Sequence, residues 1–315
     1  MNGLPTSADV DIDGILLVDK PEGISSAKAL ARARQLLGRP KAGHLGTLDP
    51  MATGLLPLCI GAGTKIARYL SGDDKAYHGS IRLGLRTDTL DITGRTLDST
   101  TAPDPNELDH PELARRFTGK FEQVPPVFSA IKEGGVPLYK LARRGRTEEP
   151  EARSVTIHSL RFWAAGPGLL GFEMDCSKGT YVRSLARDLG EQIGCGAALA
   201  ELRRTRFGPF SVAESVSLDD MERGLPEALD HALVPLLAAL RDRAGMATVP
   251  VSEELALALR QGRQEPMAAL EFPAGTGERA CLVLDEQPVA VVHQSGQSWQ
   301  LERVFAAQQR PTPGP

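Results

Sequence analysis

Metal and redox signatures are missing from this chain. Its four cysteines, Cys59, Cys176, Cys195 and Cys281, form no C-x-x-C pair, and its six histidines are scattered. That argues against a zinc site or a disulfide framework and for reduced, buried thiols. No apolar run approaches the length needed to cross a bilayer. The stretch Met1–Asp13 is polar and acidic, without the apolar region of a signal peptide. The expected location is therefore cytoplasmic. No G-x-G-x-x-G motif opens a helix after a strand, which argues against a Rossmann cofactor. Gly61-Ala62-Gly63-Thr64-Lys65 resembles part of a phosphate loop, but it lacks the leading glycine spacing and its Lys follows the Thr, so nucleotide binding is discounted.

What is present is an ordinary globular composition. Of 315 residues, 41% are hydrophobic and 24% charged, enough for one large core plus a small satellite domain. The net charge of -4 hides an asymmetry. From Ser211 onward there are 8 basic and 15 acidic residues, a net of -7, which leaves +3 and every lysine for Met1–Phe210. Two basic runs stand out: Lys140, Arg143, Arg144 and Arg146, and Arg203, Arg204 and Arg206. Such runs suit phosphate contact, or simply a solvated face.

The pattern of elements is mixed. Gly14–Val18 reads as a buried strand. Ser25 or Ser26 caps a helix to about Leu37, with Gly38 as its left-handed stop. Leu55–Ile60 reads as a strand, and Thr64–Leu70 as a helix. Residues 77–86 alternate apolar and polar, with Tyr77 on the apolar side of a half-buried strand. Pro111–Phe117 reads as a helix, Pro125–Arg153 as partly irregular, and Gly171–Cys176 as a strand. Val182, Leu185, Ala186, Leu189 and Ile193 form a helical stripe. Beyond about Gly245 come short apolar bursts between turn residues. Without regular βαβ alternation, the expected class is α+β.

The string Gly43-His44-Leu45-Gly46-Thr47-Leu48-Asp49-Pro50 carries one imidazole and one carboxylate on a loop constrained by glycines and a proline. By residue type alone, Asp before Pro marks a turn and His44 a structural histidine. A carboxylate on such a loop is also a plausible nucleophile or base.

The string Gly43–Gly54 closely resembles the signature of TruB-type pseudouridine synthases. Four further strings agree in order and spacing. These are Lys20–Ser26, Lys75-Ala76-Tyr77, Pro125–Lys132 with Leu138-Tyr139 and Ala142–Gly145, and Lys178–Arg183 together with Leu202–Thr205. The resemblance spans about Gly14 to Phe210. Leu45 stands where the family often carries a smaller or hydroxylated residue.

The resemblance implies an RNA-modifying isomerase that converts uridine to pseudouridine at position 55 in the T-loop of tRNA. It implies a pseudouridine-synthase fold, a central mixed and largely antiparallel sheet flanked by helices. The catalytic domain would span about residues 14–245, with an RNA-gripping insertion at about 125–153. A small β-rich PUA-like RNA-binding domain would follow at about 246–308. Residues 1–13 are expected to be flexible and 309–315 disordered.

The resemblance makes Asp49 the catalytic carboxylate, Tyr77 the ring stacked on the target base, and Arg183 the ion partner of Asp49. It places His44, Tyr181 and Leu202 around the bound RNA. Lys20, Lys132, Arg143 and Arg144 complete the expected RNA-contacting set. The reaction is an isomerisation, so no cofactor and no metal are expected. The expected partner is the T-arm of tRNA, with no membrane, no obligatory protein partner and a monomeric state. A dry pocket disfavours an ionised carboxylate, which is why a cation beside Asp49 is expected. The rival readings are a non-catalytic tRNA-binding or tRNA-folding protein, and a synthase acting on another RNA.

Overall fold

The computed structural model describes residues 13–38, 41–70, 74–129, 132–133, 136–138, 150–224, 226–264, 267, 270–273, 275–296 and 298–307. Within them, chain order gives β1 (Gly14–Lys20), α1 (Ser26–Leu37), β2 (Ala42–His44), β3 (Thr53–Ile60), α2 (Gly63–Ile66) and β4 (Lys75–Leu83). A small hairpin follows, β5 (Leu85–Thr87) and β6 (Thr96–Ser99), then α3 (His110–Phe117) and β7 (Gly119–Gln123). Next come β8 (Lys132–Glu133), β9 (Val136–Pro137), β10 (Arg153–Gly166), β11 (Leu169–Cys176), α4 (Val182–Ile193) and β12 (Ala197–Phe207). The chain continues through β13 (Phe210–Ser211), β14 (Val216–Ser217), α5 (Leu218–Glu222), α6 (Pro226–Ala232) and β15 (Leu233–Pro235). It ends in β16 (Ala247–Pro250), α7 (Glu253–Arg260), β17 (Arg279–Leu284), β18 (Gln287–Ser295) and β19 (Ser298–Val304).

The main sheet has the order β14-β1-β3-β12-β4-β11-β10-β7. Only the β1/β14 and β3/β12 pairs of that path are parallel, so the sheet is mixed and largely antiparallel. Apolar patterning follows what covers each face. In β1, Leu16 and Val18 join one core, while Ile15 and Leu17 join a second core on the other face. β3 divides the same way, with Leu56 and Leu58 on one side and Leu55 and Cys59 on the other. Strands covered on both faces read as continuous apolar runs. In β4 one covered face carries Tyr77 and Ile81, while His78, pointing the other way, is exposed.

Helices α1, α3 and α4 lie on the first face, whereas Ile66 of α2 joins the second core. Ser25 caps α1 by accepting from the Lys28 N–H, and Gly38 ends it at φ 61°. Ala29 and Ala33 face the core and let α1 approach the sheet closely. The expected helix Thr64–Leu70 is instead α2 followed by a 3₁₀ turn, Ala67–Tyr69. Gly63 packs so closely on β1 that a Cβ there would sit 2.1 Å from the Gly14 carbonyl oxygen. The start of this helix is no anion cradle. The Ala62 N–H is already taken by the Asp13 carboxylate at 2.8 Å, and the Lys65 Nζ donates to the Val304 carbonyl.

β16 to β19 form a second, four-stranded sheet. One face packs Ala280, Leu282, Ala290 and Val292 under α7. From the other, Cys281 and Val291, with Phe305, enter the second core of the main sheet.

Candidate active site

Asp49 lies in the loop between β2 and β3, and that loop is tied down along its length. Leu45 N–H donates to the Pro57 carbonyl and Gly23 N–H to the Pro50 carbonyl. The buried Ser26 hydroxyl accepts from the Leu48 N–H at 2.8 Å and donates to the Leu48 carbonyl at 3.0 Å. It thus fastens the residue before Asp49 to the start of α1, and each such buried bond contributes about 1 kcal/mol. Gly46 sits at φ +67°, where a Cβ would press to 2.6 Å from the Phe207 ring, so its place in the signature string has a steric cause.

The Lys20 ammonium is fully buried and donates to the carbonyls of Pro21, Ile24 and Pro50. Burial lowers its pKa to about 8, opposed by the attraction of Asp49. The sequence assigns Lys20 to the RNA-contacting set. The structure corrects that: its three donors are spent on backbone beneath the Asp49 loop, and none reaches solvent.

Arg183 grips Asp49 with two bonds. Nε lies 2.8 Å from Oδ2 and Nη2 donates to Oδ1 at 3.0 Å. The Arg183 side chain is 6% exposed and that of Asp49 34%, so the carboxylate keeps an open side. The remaining guanidinium donors reach the Thr89 carbonyl at 3.0 Å and the Phe128 carbonyl at 2.9 Å. Asp91, also buried, stands 4.0 Å from the same Nε. Its other oxygen is held by the hydroxyls of Thr89 and Thr93 and the Thr93 N–H.

Tyr77 is buried on β4 beside β12. Burial pushes its phenol up to about 12, with Arg204 pulling it back down and Asp49 adding to the rise. Arg204 is the residue that sequence reading misplaces. It is 1% exposed and donates to the Leu55 carbonyl at 2.8 Å, to the Gly46 carbonyl at 3.1 Å and to the Tyr77 hydroxyl. Burial lowers its pKa. In the sequence it belongs to a basic run suited to phosphates. In the structure the strand separates that run: Arg203 pairs with Asp19, Arg206 with Asp175, and Arg204 points into the core.

His44, on β2, is half-buried, and burial followed by the nearby Arg204 charge lowers its pKa. Its buried Nδ1 has no hydrogen-bond partner among the described residues. Tyr181 precedes α4; burial raises its phenol, and the charges of Arg183 and Asp49 both act on it. Leu202 is 8% exposed and pairs with Gly79 across β12 and β4. The structure therefore brings Arg183, Tyr77, Tyr181 and Lys20 within electrostatic reach of Asp49, with His44 beside Arg204. Lys132 lies in β8; Arg143 and Arg144, like Tyr139, Lys140 and Arg146, lie outside the described residues. Arg204 and Asp91 are the residues that sequence reasoning missed. Burial marks both, and sequence does not display burial.

Residues 34–182 match the family model described as TruB family pseudouridylate synthase (N terminal domain). Residues 183–241 match the tRNA pseudouridylate synthase B C-terminal domain. The chain is 46% identical over 269 residues to tRNA pseudouridine synthase B of Ectopseudomonas mendocina (strain ymp), covering 83% of this chain and 85% of that protein. It is 50% identical over 231 residues to the protein of the same name from Pseudomonas aeruginosa (strain UCBPP-PA14), covering 71% and 75%. Among solved structures, a chain of a Cbf5-Nop10-Gar1 complex superposes with a TM-score of 0.65 at 22% identity, over 94% of this chain and 86% of that one. At that identity the likeness speaks for the fold.

Proposed function

The chain belongs to the TruB family of pseudouridine synthases, and from that premise we propose that it isomerises uridine to pseudouridine in tRNA, at position 55 of the T-loop, with Asp49 as the reacting carboxylate. The observation that carries the role of Asp49 is its two-bond grip by a buried arginine, on a loop immobilised from both sides, with one face of the carboxylate open.

The reaction breaks the N1–C1′ bond and forms a C5–C1′ bond. The C5 proton goes to solvent and N1 takes one up, so atoms and electrons balance within the nucleotide. A carboxylate can attack C1′, add to the base, or balance charge developing on the sugar. Each route needs it aimed and sheltered from water, which would otherwise hydrolyse the activated sugar. Arg183 supplies the aim, because a two-bond guanidinium pair fixes both carboxylate oxygens.

Tyr77, with its phenol near 12, stays protonated at neutral pH. It offers a ring to stack on the flipped uracil and a neutral hydroxyl, and leaves Asp49 as the base for any proton removed from the sugar. The target base must leave its stack to reach this pocket. His44 suits the vacated space, because an imidazole can stack there. Tyr181 and Leu202 line the same pocket as RNA contacts.

Arg143, Arg144 and, by its place in the family strings, Lys132 would grip tRNA phosphates from the insertion, and the C-terminal sheet would serve as a PUA-like RNA-binding domain. Folded RNA loops are recognised by shape and backbone contact, which suits such a division of labour. Neutralising Arg143, Arg144 and Arg146 together is expected to weaken tRNA binding and flatten its dependence on salt. An unchanged slope would remove the insertion from the phosphate grip. The protein is read as a monomer acting without an obligatory protein partner.

The direct test uses unmodified tRNA transcript tritiated at uracil C5, incubated with wild type and with Asp49→Asn. Wild type should release tritium from a single T-loop site and the variant none, while both still bind tRNA. Tight binding with no release by wild type would favour a non-catalytic tRNA-binding role instead.

A further inference from the structure

The last residue of β7 does more than end an edge strand. Gln123 is 1% exposed, and both the oxygen and the nitrogen of its carboxamide are hydrogen-bonded. Its Oε1 accepts from the Tyr181 N–H at 2.8 Å, and its Nε2 donates to the Tyr181 carbonyl at 3.1 Å. The side chain thereby imitates one step of an antiparallel ladder against a residue that belongs to no strand.

Tyr181 is the N-cap of α4, in extended conformation and without a side-chain cap of its own. The first residues of α4 make further bonds to the stretch after Gln123. The Ser184 hydroxyl donates to the Val124 carbonyl at 2.7 Å, Arg187 Nη2 reaches the same oxygen at 3.2 Å, and Arg183 Nη2 reaches the Phe128 carbonyl. The result is a seam between residues 123–128 and 181–187. One residue of that seam, Tyr181, is among the RNA contacts proposed above, and another, Arg183, holds the carboxylate.

We propose that Gln123 is a positioning residue: its buried carboxamide sets the backbone of Tyr181, and so the angle at which Arg183 meets Asp49. The alternative, that Gln123 merely plugs the end of a strand, does not need both amide atoms aimed at one backbone residue. A helix N-terminus leaves its first N–H groups unpaired, and ordinary caps satisfy them from the helix's own N-cap side chain. Here the group held is the N-cap residue's own peptide, and the partner comes from another element, 58 residues away. The link means that α4 cannot rotate about its first turn without breaking buried bonds. Rotation there would swing Arg183 first, since it is the second residue of the helix.

The inference rests on the role proposed above for Asp49, and its test separates the two. Gln123→Leu keeps the size and removes both bonds. Gln123→Glu keeps the acceptor for the Tyr181 N–H and loses the donor. Single-turnover rates and tRNA dissociation constants are measured on folded protein, with melting followed in parallel. Displacement of an aligned group by about 1 Å costs on the order of 100-fold in rate.

Gln123→Leu should therefore lose roughly 10-fold to 100-fold in single-turnover rate with tRNA affinity changed by less than about 3-fold, and Gln123→Glu should fall between it and wild type. Rate and affinity falling together, in step with the loss of folded protein, would overturn the proposal, as would an unchanged rate in Gln123→Leu. If Gln123→Leu fails to fold, Ser184→Ala carries the test. It opens the seam without touching Tyr181, and should lower the rate in the same direction and less; an unchanged rate there overturns the proposal too. Wild type without tritium release is a different outcome, and would remove the Asp49 reading itself.

Discussion

Two arginines stand within one site and behave in opposite ways. Arg183, at the start of α4, meets the Asp49 carboxylate with two bonds and has a second carboxylate, Asp91, close by. Arg204, on β12, is buried more deeply still, and it faces carbonyls and a phenol. The first arginine balances the charge of Asp49, the carboxylate proposed to react. The second holds a cation in the core to tie together Gly46 of the Asp49 loop, Leu55 of β3 and Tyr77 of β4. A buried charge without a counter-charge is costly. Its place at the junction of the Asp49 loop and Tyr77 indicates that the cost is met by the order it imposes on the site.

The largest expected effect breaks the first arm of that comparison. Arg183→Met removes the cation and both bonds to Asp49 while keeping an unbranched apolar side chain. The rate of pseudouridine formation should fall by on the order of 100-fold or more, as when one preorganised electrostatic partner is lost. Arg183→Lys should recover little, because a lysine cannot reproduce the two-bond geometry. Single-turnover tritium release measures both. Recovery by lysine to within tenfold would mean that charge alone matters, and that the shape of the pair does not.

A smaller effect is expected from Arg204→Met. The variant strands the carbonyls of Gly46 and Leu55 and the Tyr77 hydroxyl, at about 1–3 kcal/mol for an unsatisfied buried group. Removing an uncompensated buried charge returns part of that. Chemical denaturation should show a net loss of about 1–3 kcal/mol.

The phenol gives a second readout. Tyr77 ionises near 10 when unfolded and near 12 when folded. The folded state therefore holds the phenolic proton more tightly. The corresponding stability, about 2–3 kcal/mol, is fully present below pH 10 and is lost as pH rises through 12. Arg204 lowers the folded value, so its removal should move the phenol and this loss to still higher pH, visible in ultraviolet titration. A phenol that moves down would show that Arg204 does not act on Tyr77.

How far sequence reaches is visible in the same residues. The helix at 182–193 was legible because Val182, Leu185, Ala186 and Leu189 repeat at helical spacing, and all four are buried. The cap at Ser25 and the stop at Gly38 were legible from local chemistry. The loop around Asp49 was legible as constrained, and its clamp Ser26 lay inside a quoted string without revealing what it clamps. β12 was not legible. Its residues, AALAELRRTRF, are mostly good helix formers, and pairing with β3 and β4 overrides that preference. Arg204 was hidden for the same reason: three arginines in four positions read as one basic patch until the strand sends them to opposite faces.

Arg203 supplies the smallest effect and the control for the whole comparison. It is the neighbour of Arg204, and alternation along a strand places it on the other face. There it pairs with Asp19 at 2.6 and 3.0 Å, with side chains 40% and 29% exposed. An ion pair so open to water contributes about 1 kcal/mol or less, and salt screens it. Arg203→Ala should therefore destabilise the protein by no more than that, and raising the salt concentration should shrink the difference from wild type. Because Asp19 already offsets its charge, the salt dependence of tRNA binding should change little. A loss as large as that of Arg204→Met would mean that position on β12, and not burial, sets what an arginine contributes. A flattened salt slope would return Arg203 to the phosphate-binding role that the sequence run suggests, with Asp19 displaced when RNA arrives.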